Sequence, residues 1–479
     1  MLAQTITASV TGTVTDASGA VIPNANVAVR NVDTGVATTA NGDGVYSVRF
    51  LPIGRYSVTI SAPGFSEQAV PPFTLEINQT AKIDGKLSAG GAQSTVEVDT
   101  VAPILNMNDS SLGISLSTNE IANLPLNGRN FSSVTLFQPS AVNSDPQGLT
   151  GGNAIERNTY NNGIVSINGN RNQANNYTLD GADLNEGQNN LIAYNPAPDA
   201  LAEVRVVSAN APAQFGNANG GAVLSVLKSG TSSFHGSAYG YLENYNLDAN
   251  TWGNKHQVPA TDGTSSIIPR NPFTQSIFGG TLGGPILKKK LFFFVDYEGT
   301  RRHTGGLQQA SVLPAAFRNG DFSSLLTQST PIQLYNTQAG YAPYVNNQVP
   351  IVNPVAKYLF AHPELYPLPN AGSSSGIFGG NYRGAQRSFI VNNQGDVKIE
   401  YAHTNSDKYT AFYSQSNAND SSTALIPVFF LPRTCTRQSW GLCCINSLRR
   451  SVTISACNQA ATWKTGSQSE SHCERLACR

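Results

Sequence analysis

The side chains in this chain that could do chemistry are arranged for holding and binding rather than for bond breaking. Two arginines, Arg129 and Arg171, sit in the polar strings NEIANLPLNGRNF (Asn119–Phe131) and SINGNRNQANNYTLDGADLNE (Ser166–Glu186). A guanidinium is a stiff, permanently charged donor fork, suited to bridging a loop to acidic groups on a neighbouring wall. Around them Asn127-Gly128, Asn130, Asn168-Gly169 and Asp180-Gly181 read mainly as turn elements. Tyr335, Tyr341, Tyr344 and Tyr382 lie in a stretch rich in Tyr, Pro, Asn and Gly, where some could stack on a ligand while most pack their own loop. No Ser/His/Asp signature, paired-carboxylate site or metal-ligand cluster stands out, so no catalytic residue, cofactor or metal is expected. The GGTLGG string at Gly279–Gly284 lacks the Gly-Lys-Ser/Thr and following helix of a phosphate loop. Lys288–Lys290, between two apolar runs, reads as a solvated turn.

The elements that must position these groups are strands. Charged residues make up only 13% of the 479 and the formal net charge is zero, which argues against a nucleic-acid partner. Aromatic and β-branched residues are too frequent for disorder. There is no run of eighteen apolar residues, so a transmembrane helix is not expected; a β-barrel remains open, because its strands need only about ten alternating residues.

From Ser9 to Leu87 short strands are cut by Gly, Pro and Asp turns, the pattern of a small β-sandwich. A linker follows (89–102) in which Thr95, Val96, Glu97 and Val98 form a short β-prone tetrapeptide. Residues 103–230 are mixed. From 231 the pattern changes to period 2: Phe234, Gly236, Ala238, Gly240 and Leu242 share one face, and His235, Ser237, Tyr239 and Tyr241 the other. Further strands are read at Gln275–Leu282, Leu291–Glu298, Val397–His403 and Tyr409–Ser414, with Phe293, Val295 and Tyr297 facing outward. Their connections alternate between short turns and long polar loops, at Glu243–Pro272 and Arg302–Asn392. That asymmetry is expected of an outer-membrane barrel.

Both chain ends read unusually. Met1–Val10 lacks a basic start and an apolar core, yet Leu2-Ala3-Gln4-Thr5 looks like the end of a leader, so residues 1–8 are read as its remnant with the true start upstream. All six cysteines (Cys435, Cys443, Cys444, Cys457, Cys473 and Cys478) fall in the last 45 residues, which contain six Lys and Arg, two Glu and no Asp, Tyr or Phe. A reading frame that shifts near Pro432 explains this composition. A disulfide-stapled module in an oxidising compartment is the alternative.

Several strings carry a family resemblance. SANAPAQFGNANGGA and KSGTSSFHGSAYGYL (from Ser208 and Lys228) resemble the plug-to-barrel junction of TonB-dependent outer-membrane receptors of the Oar-like family. FGGTLGGPILKKKLFFFVDYEGTRR and the Pro-Leu-Asn-Gly-Arg-Asn and Leu-Asp-Gly elements resemble the same family's barrel and plug. Gly12-Thr-Val-Thr-Asp16, Ile22-Pro23-Asn24-Ala25, Gly44-x-Tyr46 and Leu51-Pro52-x-Gly54-x-Tyr56 resemble a carboxypeptidase regulatory-like domain. The name implies no peptidase: none of the six histidines has a Glu three residues on.

The resemblance implies a mainly β chain: a transthyretin-like, seven-stranded sandwich at 9–88, a mixed α/β plug at 103–230, and the first strands of an incomplete transmembrane barrel at 231–432. It implies an outer-membrane receptor that binds an oligosaccharide, siderophore or peptide. It also implies a TonB-type energy-transducing partner that pairs with Thr95–Val98 as an added strand. Outer-membrane lipid is the third partner. Such barrels have about 22 strands, and only five are read here, so the chain is expected to be a truncated form. The alternative is a secreted or surface carbohydrate-binding or adhesion protein working through its sandwich. In the sandwich, Tyr46, Tyr56 and Phe65 read as core or turn residues rather than a sugar platform.

Overall fold

The computed structural model describes residues 6–90, 96–97, 110–124, 126–143, 165–185, 190, 192–212, 215–216, 219–250, 252–255, 270–328, 330–372, 379–404, 408–423, 425–426, 433–447 and 462–465. It is mainly β. The first unit contains β1 (Ala8–Asp16), β2 (Ala25–Asn31), β3 (Ala37–Gly42), β4 (Val45–Leu51), β5 (Gly54–Ser61), β6 (Gln68–Leu75), β7 (Thr80–Lys82) and β8 (Gly85–Leu87). One sheet is ordered β4-β1-β7, with β8 also on β1; the other runs β3-β2-β5-β6 and gains β9 (Val96–Glu97) at its edge. Alternate residues of β2 and β5 (Val27, Val29, Val58, Ile60) meet Val10, Val14, Val48 and Leu75 in a sandwich core. Seven strands were expected and eight segments are found. β7 and β8 both run parallel to β1, at Ser9–Thr11 and Val14–Asp16, so they are one strand broken in the middle. The break is at Ile83, whose carbonyl leaves the ladder to accept the Tyr46 hydroxyl at 2.6 Å.

Tyr46 and Tyr56 are buried, and Tyr56 donates back to Pro52 O at 2.8 Å across its own turn. These rings belong to the core, where they cannot stack on a sugar. A Cβ on Gly12 would sit 1.8 Å from Ile83 O and 2.8 Å from the Tyr46 ring, which explains the glycine in that motif.

The second unit is built on β10 (Leu112–Ser117), β11 (Ala141–Asn143), β12 (Val165–Ile167), β13 (Asn176–Leu179), β14 (Ala182–Asp183), β15 (Leu201–Ala209) and β16 (Ala222–Leu227). Its main sheet is ordered β10-β15-β16-β13-β14. The short helix α1 (Thr118–Asn123) begins where the Glu120 carboxylate accepts the Ser117 N–H at 2.7 Å and ends before Pro125, which disfavours helix at the preceding residue. Every residue of β16 is buried, because the sheet is covered on both faces. On one face lie Ile121, Phe131 and Val134 together with Phe294 and Phe412 of the next unit; on the other lies Ile77 of the sandwich.

The third unit is one antiparallel meander. It runs through β17 (His235–Asn244), β18 (Phe273–Leu287) and β19 (Leu291–Ala310). After the loop hairpin β20 (Tyr335–Asn336) and β21 (Ala342–Pro343), it continues through β22 (Tyr382–Ala402), β23 (Lys408–Ser422), β24 (Arg433–Ser447) and β25 (Thr462–Thr465). The sheet is open among the described residues, and it runs past residue 432: β24 pairs with β23 over its full length. Cys457, Cys473 and Cys478 lie outside the described residues. Polar side chains point inward and are buried (Asp296, Glu298, Thr300, Asn392, Gln394, Asp396, Lys398), while Tyr297, Val397, Ile399 and Tyr413 point outward. Polar-in, apolar-out alternation is the reverse of a soluble sheet and matches a membrane barrel wall. No helix among the described residues is long and apolar enough to cross a membrane.

β19 and β22 are paired from Leu291–Tyr401 to Ala310–Tyr382, so both are much longer than read from sequence. Residues 302–310 and 382–392, expected in the loop, belong to the wall. Twenty residues at about 3.4 Å each exceed any bilayer core, so the pair must stand above the membrane.

Candidate functional site

Of the residues singled out above, Arg129 and Asp180 meet the wall at the seam between the plug sheet and the inner face of β17, β19 and β22. Gly128 and Arg129 are both left-handed (φ 61° and 53°), a pair of conformations that turns the chain sharply and aims the Arg129 side chain at the wall. Its guanidinium pairs with Asp199 of the plug, lies 3.7 Å from Glu298 Oε2 on β19, and stacks 4.5 Å from the Tyr241 ring and 5.2 Å from the Tyr239 ring on β17. Glu298 also accepts from the Tyr239 hydroxyl (3.1 Å) and Gln394 Nε2 (3.2 Å). One plug arginine thus reaches two wall strands.

A second contact starts from Asp180-Gly181. Both residues are left-handed (φ 48° and 82°) and form the two-residue turn between β13 and β14. The Asp180 carboxylate is buried and accepts Lys398 Nζ of β22 at 3.1 Å. Lys398 also donates to Leu227 O at 3.1 Å. Burial pushes the Asp180 carboxyl up from its ordinary range, and the Lys398 charge opposes that shift.

A third contact is Tyr194, whose hydroxyl donates to Asp396 Oδ2 at 2.9 Å. Asp396 also accepts from Ser414, and stands directly across the ladder from Asp296. Burial first, and the acidic wall second, raise the Tyr194 hydroxyl well above its usual range. The site therefore keeps this phenol a donor.

The other expected residues have different roles. Asn130 is buried and caps the 3-10 segment Phe131–Phe137, accepting from Ser132 N at 3.0 Å and Asn195 Nδ2 at 2.7 Å. Asn168 and Gly169 form a left-handed turn, and Asn168 Nδ2 donates to Ser208 O at 2.6 Å. Asn127 lies at the start of the Asn127–Arg129 turn. Arg171 departs from expectation: it is exposed, ahead of the Asn172–Ala174 turn, and no ion pair ties it to the wall among the described residues. Asp199, Tyr194, Glu298, Asp396 and Lys398 were missed. Lys398 carries a signal as a charge alternating with Val397 and Ile399, and Glu298 as a charge on the face opposite Val295 and Tyr297.

Of the Thr95–Val98 tetrapeptide, Thr95 and Val98 lie outside the described residues. Val96–Glu97 forms β9, parallel to β6 at Gln68 and Ala69. Among the loop tyrosines, Tyr335 and Tyr341 are exposed and Tyr341 is left-handed (φ 60°). Tyr344 is half-buried, with its carbonyl accepting Gln333 Nε2 at 2.9 Å. Tyr382 begins β22 and packs against the Val312–Tyr366–Ile426 cluster. Among the described residues no group of three or more His, Cys, Asp or Glu is placed to hold a metal.

The family described as outer membrane beta barrel domain matches residues 226–440, and the carboxypeptidase regulatory-like domain family matches residues 9–88. The TonB-dependent transporter Oar of Myxococcus xanthus is 26% identical over 303 residues, which cover 60% of this chain. The chain spans 26% of the length of that curated relative. Among solved structures, the outer membrane transporter YddB from Escherichia coli aligns over 71% of this chain and 37% of its own, at 12% identity and TM-score 0.41. The siderophore receptor PirA from Pseudomonas aeruginosa aligns over 70% and 41%, at 11% identity and TM-score 0.27. The chain thus carries an outer membrane beta barrel domain after a carboxypeptidase regulatory-like domain, and it is similar to a TonB-dependent transporter of the outer membrane.

Proposed function

We propose that the chain forms the sandwich, the plug and the opening wall of a receptor that takes up a ligand across the outer membrane with energy supplied from a TonB-type partner. The observation that carries this reading is the seam itself. Beside an apolar contact at Phe294 and Phe412, Arg129, Asp180 and Tyr194 hold the plug to three wall strands through charges and hydroxyls. A polar seam suits a part that must be held and then displaced, since water can take over each bond as it opens, whereas separating apolar faces forfeits their full burial.

In this reading, Val96–Glu97 with its neighbours Thr95 and Val98 is where the partner adds a strand. Tyr335 and Tyr341, exposed on the outer loop, are the ligand-contact groups. Tyr344 and Tyr382 shape that loop. The ligand is a siderophore, oligosaccharide or peptide, bound rather than chemically changed. Tyr46 and Tyr56 are buried in the sandwich core and offer no sugar platform there.

The test is expression of the protein in an outer-membrane host, with fractionation, heat-modifiable migration and entry of a bulky antibiotic as readouts. Detergent-dependent recovery with the outer membrane, and greater antibiotic entry for R129A than for the parent, are expected. Recovery as a soluble, heat-insensitive species would refute the receptor reading.

A further inference from the structure

We propose that the N-terminal sandwich is a latch on the plug, closed on the main chain of a single residue, Ile77, whose N–H and C=O two plug side chains grip. Glu203 and Arg205 are alternate residues of β15, so they share the face opposite Val204 and Val206, which pack in the plug core. The Glu203 carboxylate accepts the Ile77 N–H with both oxygens, at 3.0 and 3.2 Å. Arg205 Nη1 donates to Ile77 O at 2.6 Å, and its Nη2 donates to Ser111 Oγ at 3.0 Å. Ser115 of β10 donates to Glu203 at 3.3 Å. Ile77 sits in the turn between β6 and β7, which Gln79 closes by donating from its N–H to Glu76 O (3.2 Å) and accepting the Glu76 N–H (2.9 Å). Its side chain is fully buried against Val207, Phe215, Ala222, Leu224 and Val226 of the plug.

Glu203 and Arg205 are nearly fully buried, and the one main-chain unit that both bind belongs to the sandwich. A buried charge is costly unless it is paired and hydrogen-bonded. Here docking brings both the Ile77 partners and the burial that makes them necessary. Both residues lie opposite β10, the edge strand of the plug sheet, at Ser115↔Arg205 and Ser117↔Glu203. β10 is also the strand that leads back toward β9. The latch therefore clamps the plug strand nearest to the segment on which a partner would pull.

The groups facing Glu203 are Glu76, which repels it, and Ser115, Arg205 and the Ile77 N–H, which favour its charge; burial outweighs these and pushes the carboxyl up to about 7. An exposed glutamate titrates near 4.5. The docked state thus takes up a proton between about 4.5 and 7, so docking is tightest in acid and loosens as pH rises through 7. From pH 6 to pH 8 the docking constant should fall about tenfold.

The experiment is hydrogen–deuterium exchange of the full chain in detergent micelles, corrected for intrinsic base catalysis and followed in peptides covering 72–82, 111–118 and 54–61. In the parent, protection of 72–82 and 111–118 is expected to fall from pH 6 to pH 8 while 54–61 is unchanged. E203Q, the isostere of the neutral acid, should keep protection at both pH values. The E203A/R205A double variant should lose it at both, with 54–61 still protected. Unchanged exchange at 72–82 in the double variant, or a parent-like pH response in E203Q, would overturn the latch. The inference rests on the receptor reading only for its purpose; exchange at Ile77 reports the latch whether or not any ligand is taken up.

Discussion

At the scale of single residues, the seam is a set of buried charges whose value lies in being paired. Lys398 and Asp180 are each about 4% exposed at the side chain, so removing Lys398 leaves Asp180 without its cation in a dry place, and removing Asp180 leaves Lys398 only its longer ion pair with Glu400 at 3.6 Å. Breaking such a pair from one side costs about 3–5 kcal/mol, whereas replacing both partners with apolar groups of similar size is often close to neutral. K398M and D180L alone should therefore each lower the unfolding midpoint in denaturant, and the K398M/D180L double variant should recover most of the loss. If the double variant loses as much as the sum of the two singles, the residues do not act as a pair. Y194F should cost less, about 1.5–3 kcal/mol, because it removes one hydrogen bond to a charged group. The sequence made Arg129 legible, since an arginine after Asn-Gly has reach and nothing local to bind. It made Asp180 legible only as half a turn. Its second role depends on Lys398, 218 residues away, and nothing in the local pattern of either residue names the other.

At the scale of elements, period-2 alternation is enough to find the first five wall strands and, for Leu291–Glu298, to choose the outward face, because lipid and plug impose opposite polarity on the two sides of one strand. The same signal fails where a strand leaves the membrane. Beyond Arg302 the outer side of β19 no longer needs to be apolar, so Gly305–Ala310 looks like loop even though it pairs with Tyr382–Arg387. The glycines give a sharper reading. Gly230 carries the chain from plug to wall through a gap in which a Cβ would lie 2.4 Å from Phe293 O and 2.5 Å from Gly284 O. Both obstacles are backbone atoms of paired strands and cannot rotate aside. G230A should therefore shift the β18–β19 turn or prise the plug from the wall, and proteolysis of intact protein should cut near residue 230 much faster than in the parent. A parent-like digestion pattern would show that the crossing has more room than the geometry allows. G240A is the control: no heavy atom lies within 4 Å of its Cβ position.

At the scale of the whole molecule, the three units form a stack in which each covers a face that its neighbour cannot leave open. The sandwich seals one face of the plug sheet at Ile77, the wall seals the other at Phe294 and Phe412, and Ser232 at the head of the barrel donates to Asp33 O of the sandwich at 2.9 Å. What remains uncovered is the outer side of the wall. The ladder aligns Leu282, Val295, Val397 and Tyr413 in one row across four strands, all pointing away from the plug. On a soluble protein, changing an exposed Val397 to lysine should alter stability by no more than about 0.5 kcal/mol. In a lipid-facing row the same change costs up to about 4 kcal/mol at the bilayer centre and less toward either interface. V397K should therefore impair stability measured in phospholipid vesicles, while S414K on the inward face should act instead by disrupting the contact with Asp396 and loosening the plug. Equal stability of V397K and the parent in vesicles would mean that this row does not face lipid, and that the outward polarity of the sheet has some other cause.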